Sequence, residues 1–404
     1  MTGEYQLFPD SKLIIGASGR GAIYDLKYRR VFSINQHAVE IINYKQADNQ
    51  GYWKKLEENG LAVLNKTTPY QETPPFSRKA RIEKPQLDFI WCEISESCNL
   101  HCLHCYGRFG KPEPGQPNIV NWKEVLYQGN ILGCHRVQFI GGEPLLLKEK
   151  LFQLIDFAYK IGYNFVEVFT NGTLITSKIA EYFATHKVNV ATSLYSYVAS
   201  IHDNITQQIG SFERTTNGLK LLKKFSVPTR VAVIAMAQNQ DTLPETMKYL
   251  ETYGVQIRKP EIVRPTGRGQ NEDISPRPEI IEKYVTRIRP SFQTTWKSFE
   301  EAHHWNSCWK GKVSVTSKGE VLPCIFARNH VAGNVQQNRL STIVKNDITS
   351  YWKVTLNQVE HCQACEYRFA CHNCRPLSEG ATGNMLGRNP RCKYNPYTGD
   401  WKGE

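Results

Sequence analysis

The stretch ISESCNLHCLHCYGRFG, residues 94–110, puts Cys98, Cys102 and Cys105 on one short loop, with three residues in the first gap, two in the second, and Tyr106 directly after the third cysteine. Four-coordinate zinc normally draws on paired CxxC or CxxH units. This loop offers three thiols and no partner pair nearby, with His101 and His104 as the other donors in reach. A cubane iron-sulfur cluster makes better sense of an odd count, because three cysteines leave one iron open for a small-molecule ligand.

The rest of the composition agrees with a metalloprotein of the reducing cytosol. The 404 residues are 40% hydrophobic and 22% charged, an ordinary globular balance with room for two or three domains. No apolar run reaches the ~18 residues of a membrane helix. The opening MTGEYQLFPDSKL lacks a basic segment followed by an apolar one, so a cytoplasmic protein without membrane contact is expected. There, twelve cysteines are read as metal ligands rather than disulfides. Ten of them fall in two groups, leaving Cys92 and Cys134 outside as buried small hydrophobes or incidental thiols. The net charge of +12 points to an acidic partner, either a peptide or nucleic acid, or else simply to a solubilising surface.

The patterning divides the chain into three segments. In residues 1–85, KLIIGAS and GAIYDLKYRRVFSI read as strands, NQHAVEIINYK and NQGYWKKLEEN as short helices, and LAVL as a returning strand, an order suggesting a small winged-helix-like domain. The Pro- and charge-rich TTPYQETPPFSRKARIEKP then separates it from the second segment. In residues 86–290 the apolar runs RVQFIG, FVEVFTNG, VNVATSLYS and RVAVIAMA alternate with amphipathic stretches such as KEKLFQLIDFAYKIG. That alternation implies parallel strands with helical crossovers, hence an α/β barrel or partial barrel with ligands at the C-terminal ends of its strands. SPRPEIIEKYVTRIRPSF reads as a closing helix. The third segment is residues 291–404, of which 308–404 hold seven cysteines and little helical periodicity, so metal sites rather than a conventional core are expected to hold that stretch together.

With CNLHCLHCY at 98–106 and GGEP at 141–144, the sequence resembles the radical S-adenosylmethionine (radical SAM) superfamily over residues 88–270. The resemblance implies a partial (β/α)6 TIM-like barrel. Cys98, Cys102 and Cys105 would bind a [4Fe-4S] cluster whose open iron chelates SAM, and one-electron reduction would yield a 5'-deoxyadenosyl radical that abstracts a substrate hydrogen. It further implies that Gly141, Gly142, Glu143 and Pro144 receive the SAM ammonium, with Thr170 and Asn171 of FTNG beside them. Ser193 would face the ribose, Arg264 and Arg268 of VRPTGRG the carboxylate, and Tyr106 the adenine.

The second group, Cys308, Cys324, Cys362, Cys365, Cys371, Cys374 and Cys392, resembles the SPASM extension of these enzymes, which holds two auxiliary clusters. Carried over, Cys362, Cys365, Cys371 and Cys392 complete one cluster while Cys308, Cys324 and Cys374 bind the other. The closing gap here is CxxC where the family usually has CxxxC, and no thiol lies between Cys308 and Ser314 to close the second cluster. Two zinc ribbons built on CQAC and CHNC are the alternative. The expected function is a maturase of ribosomally made (RiPP) precursor peptides. It would carry SAM and three [4Fe-4S] clusters, recognise an acidic leader through the N-terminal domain, and draw electrons from a flavodoxin or ferredoxin. A maturase of folded proteins, a small-molecule radical enzyme, and a non-catalytic iron-sulfur or zinc protein that binds nucleic acid stand as alternatives. The last lacks the aromatic ladder of single-strand binders.

Overall fold

A computed structural model describes residues 4–44, 49–65, 83–110, 120–285 and 292–401. Most of the Pro- and charge-rich stretch, and the end of the SPRPEIIEKYVTRIRPSF helix, lie outside them. Among the described residues no helix is long and apolar enough to cross a membrane.

The N-terminal segment has two small sheets. β1 (Glu4–Leu7) pairs antiparallel with β5 (Ala62–Asn65), and β2 (Ser11–Ile15), β3 (Gly21–Asp25) and β4 (Arg30–Ile34) form an antiparallel meander. Every residue of β3 is buried, because the meander is covered on both faces. Ile23 and Ile34 pack under α1 (Gln36–Tyr44) and α2 (Gln50–Glu58), joining Val39, Ile41, Trp53 and Leu56. Ala22 and Tyr24, on the alternate positions, pack instead on Phe299, Tyr367, Phe369 and Tyr394 of the C-terminal segment. The Tyr24 hydroxyl donates to the Glu366 carbonyl at 2.7 Å, and the amides of Ala17 and Ser18 donate to the carbonyls of Ala364 and Pro396.

The central segment carries the strand and helix alternation expected. β6 (Phe89–Ser95), β7 (Arg136–Gly141), β8 (Phe165–Phe169), β9 (Asn189–Ser193), β10 (Thr229–Ala232) and, past the short β11 (Ile234–Ala235), β12 (Gln256–Ile257) form six parallel strands. Each lies beside its predecessor, the order of a partial barrel. β11 continues the line of β10 and pairs with β13 (Glu261–Ile262). The crossovers are α3 (Trp122–Ile131), α4 (Glu149–Lys160), α5 (Ser177–Thr185), α6 (Ala199–Thr206) with α7 (Ser211–Lys224), and α8 (Leu243–Glu251). Leu151, Leu154, Ile155 and Ala158 show why α4 docks: spaced at helical intervals, they are its buried face.

Beyond α9 (Pro278–Val285) and α10 (Trp296–Ala302) the structure departs from expectation. β14 (Lys312–Val315) pairs in parallel with β6, and β15 (Glu320–Leu322) and β16 (Gly333–Asn334) continue outward, so one nine-stranded sheet runs from the barrel into the cysteine-rich segment. Trp309, Val313, Val315, Val321, Leu340, Ile343, Ile348 and Trp352 join the main core beneath that sheet. The expectation that residues 308–404 bury no conventional core is therefore corrected for residues 309–352. Their apolar side chains pack on a strand more than 200 residues away in sequence, which local periodicity cannot reveal.

Candidate active site

The cysteine loop leaves the C-terminal end of β6 and is fastened by its own backbone. Cys98 N donates to Gly110 O at 2.7 Å, closing the loop, while His101 N and Leu103 N donate to Thr206 O and Ile205 O at the end of α6. Arg268 ties down the far side: its Nε donates to Cys102 O and its Nη2 to Phe109 O, both at 2.8 Å, and its backbone amide to Cys105 O. Two of the guanidinium donors expected to meet a carboxylate are therefore spent on loop carbonyls. The chain approaches closely here. A Cβ on Gly267, whose φ is +63°, would lie 2.3 Å from Tyr106 O, and one on Gly142 would lie 2.1 Å from Ser97 O.

Cys98, Cys102 and Cys105 all line a cavity of about 920 Å³ that also touches Tyr106, Gly141, Gly142, Asn171, Ser193, Arg264 and Arg268. Burial pushes the Cys98 thiol up to about 11, and raises that of Cys102 further, with Cys105 and Cys98 adding to the effect. The thiols thus sense one another, yet among the described residues no three Cys, His, Asp or Glu side chains stand close enough to hold a single metal ion.

Glu143, whose carboxylate was expected to meet an ammonium group, faces the protein and lies outside the cavity lining. Fully buried, it accepts from Leu145 N at 3.0 Å, Thr170 Oγ1 at 2.7 Å and Asn171 N at 2.7 Å. Burial pushes its carboxyl up to about 7 against these three bonds. It joins the GGEP turn to FTNG, and the chain of contacts continues outward: Asn171 Nδ2 donates to Asn99 Oδ1 at 2.8 Å and approaches Cys98 Sγ at 3.9 Å. Pro144 and Thr170 are buried behind this layer, outside the cavity lining.

The Tyr106 ring packs edge-on against Phe109 and Phe326, each at 5.4 Å, with Arg328 at 5.8 Å. Sequence reasoning missed Arg328 and its partner. Glu93, 1% exposed on β6, accepts from Arg328 Nη1 through both oxygens, at 2.7 and 2.8 Å. It also missed His202 of the cavity wall, while His104, offered there as a further donor beside the cysteines, lines the same wall. Burial lowers His104 and His202 to about 4, so both stay neutral; Nε2 of His202 is buried without a partner among the described residues. The visible signal for Glu93 was a carboxylate inside the apolar strand FIWCEIS. Arg328 gave none.

Apart from the buried Cys92 and Cys134, the remaining seven cysteines gather in two places. Cys308, Cys324 and Cys374 sense one another electrostatically, burial raising Cys308 and taking Cys324 to about 12, and Arg264 Nη1 donates to Cys374 Sγ at 3.0 Å. Arg264, placed in sequence reasoning at a SAM carboxylate, thus reaches from the cavity lining to this second thiol group. Cys362, Cys365, Cys371 and Cys392 form the other: Cys362 senses Cys392, and Cys365 senses Cys371 and Cys362. The buried Arg375 stands beside both groups, near Cys362, Cys371 and Cys374.

The sequence model of the radical SAM superfamily matches residues 92–250, the strands and the cysteine loop just described. The chain belongs to the radical SAM superfamily. A second family model, the SPASM iron-sulfur cluster-binding domain, matches residues 308–375. This radical SAM enzyme is 30% identical over 323 residues to the mycofactocin maturase MftC of Mycobacterium tuberculosis, covering 74% of the chain and 81% of the relative. It is 25% identical over 336 residues to an AdoMet-dependent heme synthase of Methanosarcina barkeri, covering 75% and 95%. In fold it resembles Streptococcus suis SuiB solved with S-adenosylmethionine, with a TM-score of 0.60 at 16% identity over 96% of this chain and all of SuiB. With SuiB bound to its precursor peptide SuiA the TM-score is 0.57, at 14% identity over 95% and 98%. The superfamily implies SAM and iron-sulfur clusters as cofactors, and the thiols lining the cavity fit that donor chemistry.

Proposed function

We propose that this radical SAM enzyme modifies a ribosomally made precursor peptide at carbon, by cross-link, thioether formation or backbone excision. The observation that carries the reading is the N-terminal unit: a meander roofed by two helices and seated on the cysteine-rich segment. The relatives support it, since MftC is a maturase and SuiB, which shares the fold over nearly the whole chain, was solved with a precursor peptide. The two edges of a three-stranded meander suit peptides that bind by adding a strand, and Lys27 and Arg29 in KYRR at 27–30 favour an acidic leader, Arg30 being paired with Asp25. Residues 1–85, 86–290 and 291–404 are then recognition, radical and auxiliary-cluster units.

In this reading Cys98, Cys102 and Cys105 hold the SAM-binding [4Fe-4S] cluster, Cys308, Cys324 and Cys374 one auxiliary cluster, and Cys362, Cys365, Cys371 and Cys392 the other. Three thiols spread around a loop suit a cluster in which each cysteine binds a different iron. A cluster held by Cys98, Cys102 and Cys105 and reduced by a flavodoxin or ferredoxin would supply a 5'-deoxyadenosyl radical from SAM. This chain's residues then shape the cavity: Gly141 and Gly142 bring backbone carbonyls to its wall, and Asn171 and Ser193 add polar atoms.

The test is anaerobic. Iron per chain of about twelve should fall to about eight when the three loop cysteines become alanine. With SAM and strong reductant the intact protein should release 5'-deoxyadenosine, and a short precursor encoded beside its gene should change mass. Zinc in place of iron, or a change of mass in a tetrapyrrole and none in any peptide, would refute the reading.

A further inference from the structure

The cavity does not end beneath the cysteine loop. It continues down the barrel and opens among the first residues of the strands, where Phe89, Arg136, Phe165, Asn189, Thr229 and Gln256 line it. Alternation along each strand sets the inward layers: Arg136, Gln138 and Ile140 on β7, and Phe165, Glu167 and Phe169 on β8. The middle layer is polar and pinned. Arg230 on β10 donates through Nε and Nη2 to the two oxygens of Glu167, both at 2.8 Å, and Gln138 also donates to Glu167, which is 4% exposed.

Around this layer the charge is unbalanced. Arg136 lies between the rings of Phe89 and Phe165, 5.4 and 5.3 Å from their centroids, and its one acid partner among the described residues is the exposed Asp88 at the rim. Arg258 follows β12, in which Gln256 is in register with Arg230, so on the neighbouring strand it stands two residues further toward the cysteine-loop end. It lines the cavity, is exposed, and has no acidic partner among the described residues. Glu167 saturates two of Arg230's nitrogens and leaves Nη1. A guanidinium takes carboxylate and phosphate alike, but aromatic walls beside the arginines favour an organic acid over a bare ion.

We propose that the β10 and β12 side of the cavity is a carboxylate-binding subsite, where Arg258 and the free edge of Arg230 receive a carboxylate borne on an apolar body that lies along Phe89, Trp91 and Phe165. The proposal rests on the reading that this cavity is the active site. β7 rises about 10 Å from Gln138, in the layer of Arg230, to Gly141, which leaves about three residues of extended peptide between the held carboxylate and the cysteine loop. The carboxylate comes either from a peptide, at its C-terminus or an acidic side chain, or from a small organic acid.

The experiment is a calorimetric titration of the anaerobically reconstituted full chain with SAM. Three probes are used: the tripeptide acetyl-Ala-Phe-Tyr as free acid, the same tripeptide as amide, and coproporphyrin III, which carries propionates. The tripeptide acid should bind more tightly than its amide if the source is a peptide; binding of the porphyrin alone assigns the small acid. Either ligand should bind about tenfold or more weakly to Arg258→Ala, with partial recovery in Arg258→Lys. The subsite is overturned if acid and amide bind alike and Arg258→Ala changes nothing, or if no probe binds. Release of 5'-deoxyadenosine by the wild-type protein is read alongside. Its absence would overturn the radical reading, while discrimination between acid and amide would still stand for the subsite.

Discussion

Replacing Arg328 by alanine isolates a side-chain contact that, beside the β14 pairing, joins the cysteine-rich segment to the strand carrying the cysteine loop. Glu93 is 1% exposed, and both its oxygens accept from one Arg328 nitrogen. Removing the guanidinium leaves a carboxylate buried without its charge partner, which costs about 3–5 kcal/mol. Placing Glu93→Gln in the same background exchanges the stranded charge for a neutral amide lacking a partner, at about 1–3 kcal/mol. Urea unfolding of the metal-free chain, followed by far-UV circular dichroism, should therefore show the single variant less stable than the double. The pH dependence adds a sign. Burial raises the Glu93 carboxyl and Arg328 pulls it back, so without Arg328 the rise is larger. A carboxyl raised on folding favours the folded state at pH below its unfolded value, and that advantage disappears as pH climbs through the folded value. The loss caused by Arg328→Ala should thus be greatest at neutral and alkaline pH and shrink on acidification. Equal stability of single and double variants, or a cost below about 1 kcal/mol at pH 8, would refute the argument.

Gly267→Ala should lower bound iron while leaving far-UV circular dichroism unchanged, since its Cβ meets Cys105 and Tyr106 carbonyls at 2.4 and 2.3 Å and its φ is positive. His104 and His202, both lowered to about 4, favour the folded state above their unfolded value of about 6.5 and lose that advantage as pH falls toward 4, at about 3 kcal/mol each. His202→Asn should flatten the acid limb of urea stability measured across that window. Arg264→Gln, which weakens the charge-assisted contact with Cys374, should make the midpoint potential of one auxiliary cluster more negative in a titration followed by electron paramagnetic resonance.

The chemistry of this enzyme was more legible than its assembly. Spacing alone marked Cys98, Cys102 and Cys105, and RVQFIG and FVEVF announced their strands by apolar runs at the correct residues. The same runs contained Gln138 and Glu167, polar residues at inward positions, whose partner Arg230 stands at the head of a third run. What stayed hidden depends on distant pairing. Arg328 and Glu93 are 235 residues apart, and nothing near either announces the other. The resemblance of VRPTGRG placed Arg268 at a carboxylate, and the fold adds what that stretch could not announce, the loop carbonyls of Cys102 and Phe109 that it also meets. The GGEP motif likewise gave no sign that FTNG folds over Glu143 and donates to its carboxylate.

The parallel pairing of β14 with β6 also sets a schedule for the nascent chain. Lys312 is synthesised 223 residues after Phe89, its partner, an interval of about 10–45 s at usual ribosomal speeds. Throughout that wait β6 presents an open edge, a template for pairing with the wrong chain, while the thiols of its loop have no roof against oxygen. Slow synthesis, low temperature and an anaerobic cell should therefore raise the yield of native enzyme. A fragment cut at residue 290 would keep that edge open permanently.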